Sequence, residues 1–480
     1  MSATDQAQSP RGGQSTGARN LGLVLAVLAG AQFLVALDIS IITVAVPSIE
    51  HQMAFSPAGL QWVVNAYALP FGGLLLLGGR LGDLFGRRRM FQIGTTVFVV
   101  CSLLGGLAQS PAWLIASRAG QGIGAALLSP NAFALVATTF TDGPSRNKAF
   151  GIFSATAGAA SAAGVILGGV LTKLLTWRSV FFVNVPLGVL VFIGAAVVIA
   201  EPALARGRKL DILGGVTVTI GAVALVNGAV TASSSGWTAV STIASFVVAV
   251  VFLVAFVIIQ AKREQPLISL RLFHDRNRSG AFVVQFLNNS VNIGFYYFLS
   301  KFLQEVLHYN SLATGVALLP APIVVVAAAQ VAGRLLAKIG PRPLLLVGGI
   351  LLSGGLLYAS FLSPATSYAT RVVPALILVA AGYGGMVVPV TVTAISRVSP
   401  RDTGMATGVL NTCQQVGGAF GLAAMVSVAV GITGAATAKP AAAVVSHAYG
   451  SALLLAAVIA FAGLIVAMLT IRPQARAAAH

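Results

Sequence analysis

The stretch Gly79-Arg80-Leu81-Gly82-Asp83-Leu84-Phe85-Gly86-Arg87-Arg88-Arg89 sets four arginines and one aspartate between two apolar runs, each long enough to cross a bilayer. A shorter echo stands 254 positions later, Gly333-Arg334-Leu335-Leu336-Ala337-Lys338-Ile339-Gly340-Pro341-Arg342, and it too lies between spanning runs. Five of the first ten positions match (Gly, Arg, Leu, Gly, Arg). A duplicated basic hairpin at this spacing indicates a chain built of two related halves.

Working outward, the composition agrees. With 57% hydrophobic and 8% charged residues the chain is not a soluble globular protein, which would carry about 25% charge. Repeated apolar runs of about 20 residues make it an all-α polytopic membrane protein, and the lack of alternating ten-residue strands excludes a membrane β-barrel. Spans are expected at 22–46, 58–78, 90–109, 112–139, 148–171, 180–200, 211–231, 238–260, 279–303, 312–337, 344–363, 371–395, 405–432 and 446–471, fourteen in all. The first run is too long for a signal-peptide core and lacks a cleavage site, so it is kept as a span.

Charge placement gives the orientation. With both termini cytoplasmic, inner loops and tails hold 23 of the 29 Lys and Arg, the outer side holds Lys173, Arg178, Lys301, Arg371 and Lys439, and Arg118 alone lies inside a span. The formal charge of +18 is therefore a cytoplasmic-face feature that meets anionic lipid, not a nucleic-acid footprint. Trp62, Trp113, Trp177 and Trp237 all fall at outer ends of spans and read as interfacial anchors. Cys101 and Cys413 lie within apolar runs and read as small buried hydrophobes, without disulfide or metal roles.

The 254-residue offset pairs spans 1–6 with spans 9–14 and leaves 7 and 8 as an insert. The expected organisation is a disordered cytoplasmic tail at 1–20, a six-helix bundle at 21–200, a two-helix insert with basic cytoplasmic loops at 201–278, a second six-helix bundle at 279–471 and a tail at 472–480. A second echo, Ala119-Gly120-Gln121-Gly122 and Ala381-Gly382-Tyr383-Gly384, agrees. Two bundles facing each other across a midplane cavity is an alternating-access design.

Several stretches resemble the major facilitator superfamily and, within it, the fourteen-helix drug:proton antiporters. Gly79-x-Leu81-Gly82-Asp83-x-x-Gly86-Arg87-Arg88 is similar to the superfamily's inner-loop motif. Leu37-Asp38-Ile39-Ser40-Ile41-Ile42-Thr43-Val44-Ala45-Val46-Pro47 resembles the antiporters' first-span motif, and Arg118-Ala119-Gly120-Gln121-Gly122-Ile123-Gly124 their fourth-span motif. Trp177-Arg178-Ser179-Val180-Phe181-Phe182-Val183-Asn184-Val185-Pro186-Leu187-Gly188 is similar to the stretch that opens their sixth span. In the fifth span, Gly164-Val165-Ile166-Leu167-Gly168-Gly169 keeps the glycines but has valine where the antiporter motif has proline. The resemblance implies the major facilitator fold, proton-coupled export of amphipathic drugs, a proton gradient in place of any cofactor, a monomer, and a place in the inner (cytoplasmic) membrane. It also implies a coupling role for Arg118 and a cytoplasmic gate formed by Gly79, Asp83, Gly86, Arg87 and Arg88. In that gate Asp83 would meet an arginine and the N-terminal end of span 13 near Asp402 and Thr403.

The residues themselves carry part of this. Asp38 is the only acid well inside an expected span, where a carboxylate costs on the order of 2.5–3.5 kcal/mol or more and marks a functional site. Arg118 is the only strongly basic residue in a span, and Asp38 is a suitable counter-charge; Gln121 lies one turn away. The bland alternatives are that Asp38 sits among headgroups and that Arg118 snorkels outward beside Trp113. Gly120-x-Gly122-x-x-Ala125 matches a loose dinucleotide fingerprint, but no strand precedes it; its glycines serve helix packing. Polar pocket candidates are Gln61, Asn65, Tyr67, Asn131, Gln285, Asn288, Asn289, Asn292, Tyr296, Tyr297, Asn411, Gln414 and Gln415, about half of which should face the cavity. Asn292 stands 254 residues after Asp38, so the second half keeps a polar residue there but not a titratable one.

One acid suggests about one proton per cycle. A charge moving down 100 mV releases roughly 2.3 kcal/mol, enough for about a fifty-fold gradient of a neutral solute. The expected cargo is a neutral, zwitterionic or weakly basic amphipathic compound. A proton-coupled importer and a non-transporting receptor or scaffold are the alternatives. No HExxH, GxSxG or P-loop is present to support an enzyme.

Overall fold

The computed structural model describes residues 21–140, 143–200, 211–263, 266–396, 398, 403–434 and 441–472. The first helices are α1 (Leu21–Met53), the single turn α2 (Pro57–Leu60), α3 (Trp62–Phe85), α4 (Arg87–Gly106), α5 (Pro111–Thr139), α6 (Gly143–Leu174), the single turn α7 (Ser179–Phe182) and α8 (Asn184–Val198). α9 (Ile212–Ser235) and α10 (Val240–Lys262) form a hairpin. There follow α11 (Arg276–Lys301), continued by a π-helical turn (Phe302–Val306), then α12 (Ser311–Leu318) and α13 (Pro320–Ile339). α14 (Pro341–Ala359), α15 (Val373–Ile395), α16 (Thr403–Thr433) and α17 (Ala442–Thr470) complete the chain. All fourteen expected spans are present. Among the described residues, thirteen helices are apolar enough to cross a bilayer; α11 falls short because Arg276, Arg278, Gln285, Asn288, Asn289 and Asn292 dilute its hydropathy.

Local chemistry sets the ends. Ser110 accepts from the Trp113 amide before Pro111 at the start of α5, and Asp211, Asp275 and Asn310 cap α9, α11 and α12 in the same way. The two basic hairpins turn at Gly86 (φ 103°) and Gly340 (φ 73°), 254 residues apart. A side chain rarely adopts that backbone, which explains why glycine recurs at both.

The helices pack as two groups. α3 and α4 both lie against α5, and α1 against α6; in the second group α13 and α14 lie against α15, and α11 against α16 and α17. The α9–α10 hairpin seats α9 against α3 and α16, with Ala222, Val226, Ala229 and Val230 packed on Ala68, Leu69, Ala419 and Ala423. α10 presents Val247, Val250, Val251, Val254 and Val257 outward, as a lipid-facing helix does.

Between the groups, the described residues enclose a cavity at each end. One, of about 470 Å³, is at the end bearing the Gly79–Arg89 hairpin, called here the basic end. The other, of about 950 Å³, is at the opposite end. Close α1–α11 and α6–α12 contacts join the groups at that opposite end.

Three expectations change. α1 runs seven residues past its expected end and carries Pro47 within it. Proline lacks the N–H that would satisfy the Thr43 carbonyl; the Ser300 hydroxyl of α11 donates to it instead, at 3.1 Å. Lys301, counted as an outer-side cation near the end of the 279–303 span, is buried at the end of α11, because the chain stays helical to Val306. Trp177 is no interfacial anchor: it is fully buried, edge-on to Phe181, and its indole donates to Gln52 Oε1 at 3.0 Å. Trp113 and Trp237 are exposed at the same end, as anchors would be.

Candidate functional site

Asp38 lies midway along α1 and is 1% exposed, as is Arg118 on α5. Arg118 Nη1 meets Asp38 Oδ2 at 2.6 Å. Asp38 Oδ1 accepts from Gln121 Nε2 at 3.0 Å and from Asn184 Nδ2 at 2.8 Å. Ser102 Oγ of α4 accepts from the same two amides, at 3.0 and 3.1 Å. The guanidinium has further partners: Nε donates to the Val63 carbonyl at 2.8 Å, Nη1 also reaches Gln121 Oε1 at 3.0 Å, and the Tyr67 ring lies 4.6 Å away. Neither bland alternative holds, since the acid is not among headgroups and the arginine does not snorkel. Side chains from α1, α4, α5 and α8 thus form one network around the carboxylate.

A buried ion pair is retained at a cost, and stranding one member is destabilising by about 3–5 kcal/mol. A guanidinium and a proton are alternative neutralisers of one carboxylate. Besides Asp38, Arg118 has two other acceptors within reach, Gln121 Oε1 and the Val63 carbonyl. Neither cavity is lined by Asp38. On α1, Gln32 lines the basic-end cavity and Pro47 the opposite one, so Asp38 sits about 9 Å above the first and about 14 Å below the second along the helix axis.

At the basic end, Asp83 Oδ1 accepts from Arg87 Nη2 at 2.9 Å and Nε at 3.2 Å, and Arg87 Nη1 donates to the Ala134 carbonyl. Arg88 donates to the Ala196 carbonyl at 2.6 Å, tying the hairpin to α8. Gly79, Asp83 and Arg87 line the cavity beside Met405, Thr407 and Gly408 of α16. Asp402, the other expected partner of Asp83, lies outside the described residues.

The small residues allow close crossings. A Cβ on Gly164 would fall 1.9 Å from Ser40 Oγ, and one on Gly168 2.7 Å from the Ile41 carbonyl, so both serve the α6–α1 contact. Gly169 faces the Ser311 carbonyl of α12, and Gly315 of α12 faces the carbonyl of Val165. That crossing joins the two groups without the proline. Gly122 abuts the Tyr67 carbonyl.

The pocket candidates divide. Gln285, Asn411 and Gln414 line the basic-end cavity. Asn289 stands behind it, accepting from the Tyr383 hydroxyl at 3.1 Å and donating to the Gln414 carbonyl. Tyr297 lines the opposite cavity. The others line neither. Asn131 staples α5 to α3 through the Gly78 carbonyl, Asn288 packs against Met386 of α15, and Gln415 covers Gly72. Tyr67 is spent on Arg118, and Gln61, just before α3, and Asn65 on it are fully buried. Tyr296 stacks edge-on to Phe295, and Asn292 is half-buried. Polarity along a helix marks the inward faces but does not separate cavity from crossing.

Sequence reasoning missed Ser102 and Asn184 at the acid, and Gln32 and Tyr383 in the cavity. Asn184 was within reach, since it sits in the Trp177–Gly188 stretch as a polar residue opening an apolar run.

The Major Facilitator Superfamily model matches residues 28–422. The chain is 39% identical to the puromycin resistance protein pur8 of Streptomyces alboniger, over 86% of this chain and 82% of that protein. It is also 39% identical to the cephamycin export protein CmcT of Amycolatopsis lactamdurans, over 96% and 94% of the two chains. Among solved structures, a bacterial homologue of the human lysosomal transporter Spinster, inward-facing and occupied, superposes with a TM-score of 0.65 at 18% identity, covering 95% of this chain and 97% of that one. A point mutant of the nucleoside transporter NupG superposes at 0.68 with 12% identity, covering 94% and 100%. These two likenesses concern the fold alone.

Proposed function

The chain belongs to the Major Facilitator Superfamily, and on that premise we propose that it exports amphipathic drugs or antibiotics from the cell in exchange for protons, by alternating access. The observation that carries this reading is the buried Asp38–Arg118 pair with its ring of amides. It gives a carboxylate two neutral states, one with arginine and one with a proton. The basic end faces the cytoplasm, as the loop arginines favour, in the inner membrane of a bacterium. On that orientation the cavity of about 470 Å³ lies at the inner end and that of about 950 Å³ at the outer end, and α1–α11, α6–α12 and α3–α16 contacts join the two bundles.

The inner cavity suits the cargo. Its volume of about 470 Å³ is drug-sized; Leu75, Leu76, Phe133 and Phe153 supply apolar walls, and Gln285, Tyr383, Asn411 and Gln414 supply hydrogen bonds. The partners are the compound, protons and lipid; nucleic acid has no part, the working unit is one chain, and the proton gradient replaces any cofactor. Names of the relatives, with puromycin resistance and cephamycin export among them, support export over import.

The test uses everted membrane vesicles with puromycin and a cephamycin as probes. Proton-driven accumulation is expected in wild type, with none after Asp38→Asn. Accumulation that survives collapse of both the pH and the voltage gradient defeats the reading.

A further inference from the structure

We infer that the basic-end cavity selects amphipathic compounds bearing a carboxylate over cations, and that Arg80 is the residue that meets the carboxylate. This names the cargo class of the export reading above and rests on it. Among the described residues, the charged side chains lining the cavity are Arg80, Asp83 and Arg87, which sum to one positive charge. Asp83 is the single acid of that set, and its Oδ1 already accepts from Arg87 Nη2 at 2.9 Å and from Nε at 3.2 Å. Asp38 does not line the cavity; it is held by Arg118 deeper in the first bundle. The loops at this end are rich in arginine as well.

A cation drawn between apolar walls has to replace its hydration with a counter-charge. The carboxylate on offer here would first have to leave Arg87. An anion meets the opposite situation, because a guanidinium presents a planar fork that matches a carboxylate in charge-assisted hydrogen bonds. The inner-loop motif specifies Gly79 and Leu81 but not the residue between them, so the resemblance gives Arg80 no role.

Helix register gives the cargo a direction. Thr412 of α16 donates to the Gly72 carbonyl of α3 at 2.8 Å, and Gly408 abuts Leu76. Gln414 therefore stands near the level of Gly72, and Arg80 lies eight residues nearer the basic end, about 12 Å along the axis. A drug-sized body resting on Leu76 and Phe133 can reach Gln414 with its neutral polar end and Arg80 with its carboxylate.

The opposite cavity has no such surplus. Its charged side chains, Glu50, Glu305, Lys173 and Lys301, balance, and Lys301 Nζ lies 2.7 Å from Glu50 Oε2 and 3.2 Å from Glu305 Oε1. An anion held at the basic end is thus released toward a side that does not retain it. Voltage favours the same cargo. One proton inward and one anion outward move two charges, so a given potential supports the square of the gradient it supports for a neutral compound. Charge arithmetic from the sequence allowed neutral, zwitterionic and weakly basic cargo; the cavity moves that expectation to the acidic side.

The test takes two skeletons, cefoxitin and pyrenebutyrate, each as the carboxylate and as its methyl ester, with ethidium as the cation. Binding to the full chain, purified in a neutral detergent, is read by equilibrium dialysis at low salt. Each carboxylate is expected to bind about tenfold tighter than its ester, as a charge-assisted hydrogen bond implies. Arg80→Gln should bring that ratio near one, and Arg80→Lys should keep most of it. Asn411→Asp, which adds an acid of the same size to the wall, should weaken both carboxylates and strengthen ethidium. Esters or ethidium that bind as tightly as the carboxylates, or a ratio that survives Arg80→Gln, overturn the inference. An anionic lipid headgroup has the same chemistry, and a ratio abolished by equimolar phosphatidylglycerol would assign Arg80 to lipid and overturn the cargo class. Dialysis needs no gradient, so the two readings fail separately. A ratio that holds while vesicle accumulation ignores the proton gradient sustains the selectivity and defeats proton-driven export; proton-driven accumulation of esters and ethidium at the carboxylates' rate does the reverse.

Discussion

Asp38 and Asn292 stand 254 residues apart, each within the helix that opens its bundle, and their surroundings differ sharply. Around Asp38, α5 and α8 bring Arg118, Gln121 and Asn184 to one carboxylate, and Ser102 of α4 accepts from the two amides behind it. Around Asn292 the second bundle offers no such set, and its Oδ1 has no partner among the described residues. On either echo spacing the counterpart of Arg118 is apolar, Val372 or Ala380, and Ser102 gives way to Leu356; all three are fully buried. Conversely, the polar groups of the basic-end cavity that suit a cargo, Gln285, Tyr383, Asn411 and Gln414, come from α11, α15 and α16. The two bundles thus differ: the first alone holds a buried acid with polar partners, while both line the basic-end cavity, the second with these four polar groups.

The largest effect that could break this comparison comes from moving the acid. Asp38→Asn/Asn292→Asp places a carboxylate at the equivalent level of the wrong bundle, with no guanidinium to share it. Vesicle export should stay about a hundredfold or more below wild type, as a stranded buried charge of about 3–5 kcal/mol implies. Recovery of export would show that position alone suffices.

Arg118→Lys sharpens the comparison next. An ammonium cannot serve Asp38, Gln121 and the Val63 carbonyl together, because it lacks the planar fork that reaches all three. The same transport assay should show a fall of about tenfold, with thermal unfolding little changed since the charge remains. Equal rates for lysine and arginine would reduce the site to a simple counter-charge.

The smallest effect tests packing. A Cβ on Gly78 would fall 2.0 Å from the Ala126 carbonyl, whereas 254 residues on the second bundle already carries Ala332. Gly78→Ala should destabilise by about 1–3 kcal/mol, read as a lowered unfolding temperature in detergent. Gly333→Ala, with nothing within 4 Å, should stay within about 0.5 kcal/mol. Matching losses would mean that the two bundles pack alike after all.

Much of this was legible before any coordinates. Fourteen spans, the duplicated hairpin and the Asp38–Arg118 pairing all follow from one-dimensional signals: length of apolar run, charge placement and the rarity of charge at membrane depth. The hairpin glycines were legible as a repeat, and the positive φ at Gly86 and Gly340 explains it. The pocket was read less well. Asn131, Asn288 and Gln415 are as polar as Gln285 and Gln414, yet they lie in helix crossings. The Glu50–Lys301 contact could not be read either, because the expected first span stops at 46, short of Glu50, and no repeat or motif links the two residues.

The sequence by itself determined how many times the chain crosses the bilayer, which end bears the arginines, and that one half carries the intramembrane acid. Lipid imposes those terms residue by residue, since each backbone group and each charge must be satisfied along its own helix. The tertiary structure alone decided which polar groups meet. Asp38 finds partners 80 to 146 positions away, and Lys301 finds Glu50 across 251, because contact depends on which faces of separate helices are brought together at glycine crossings. Hydropathy summed along a helix cannot specify that.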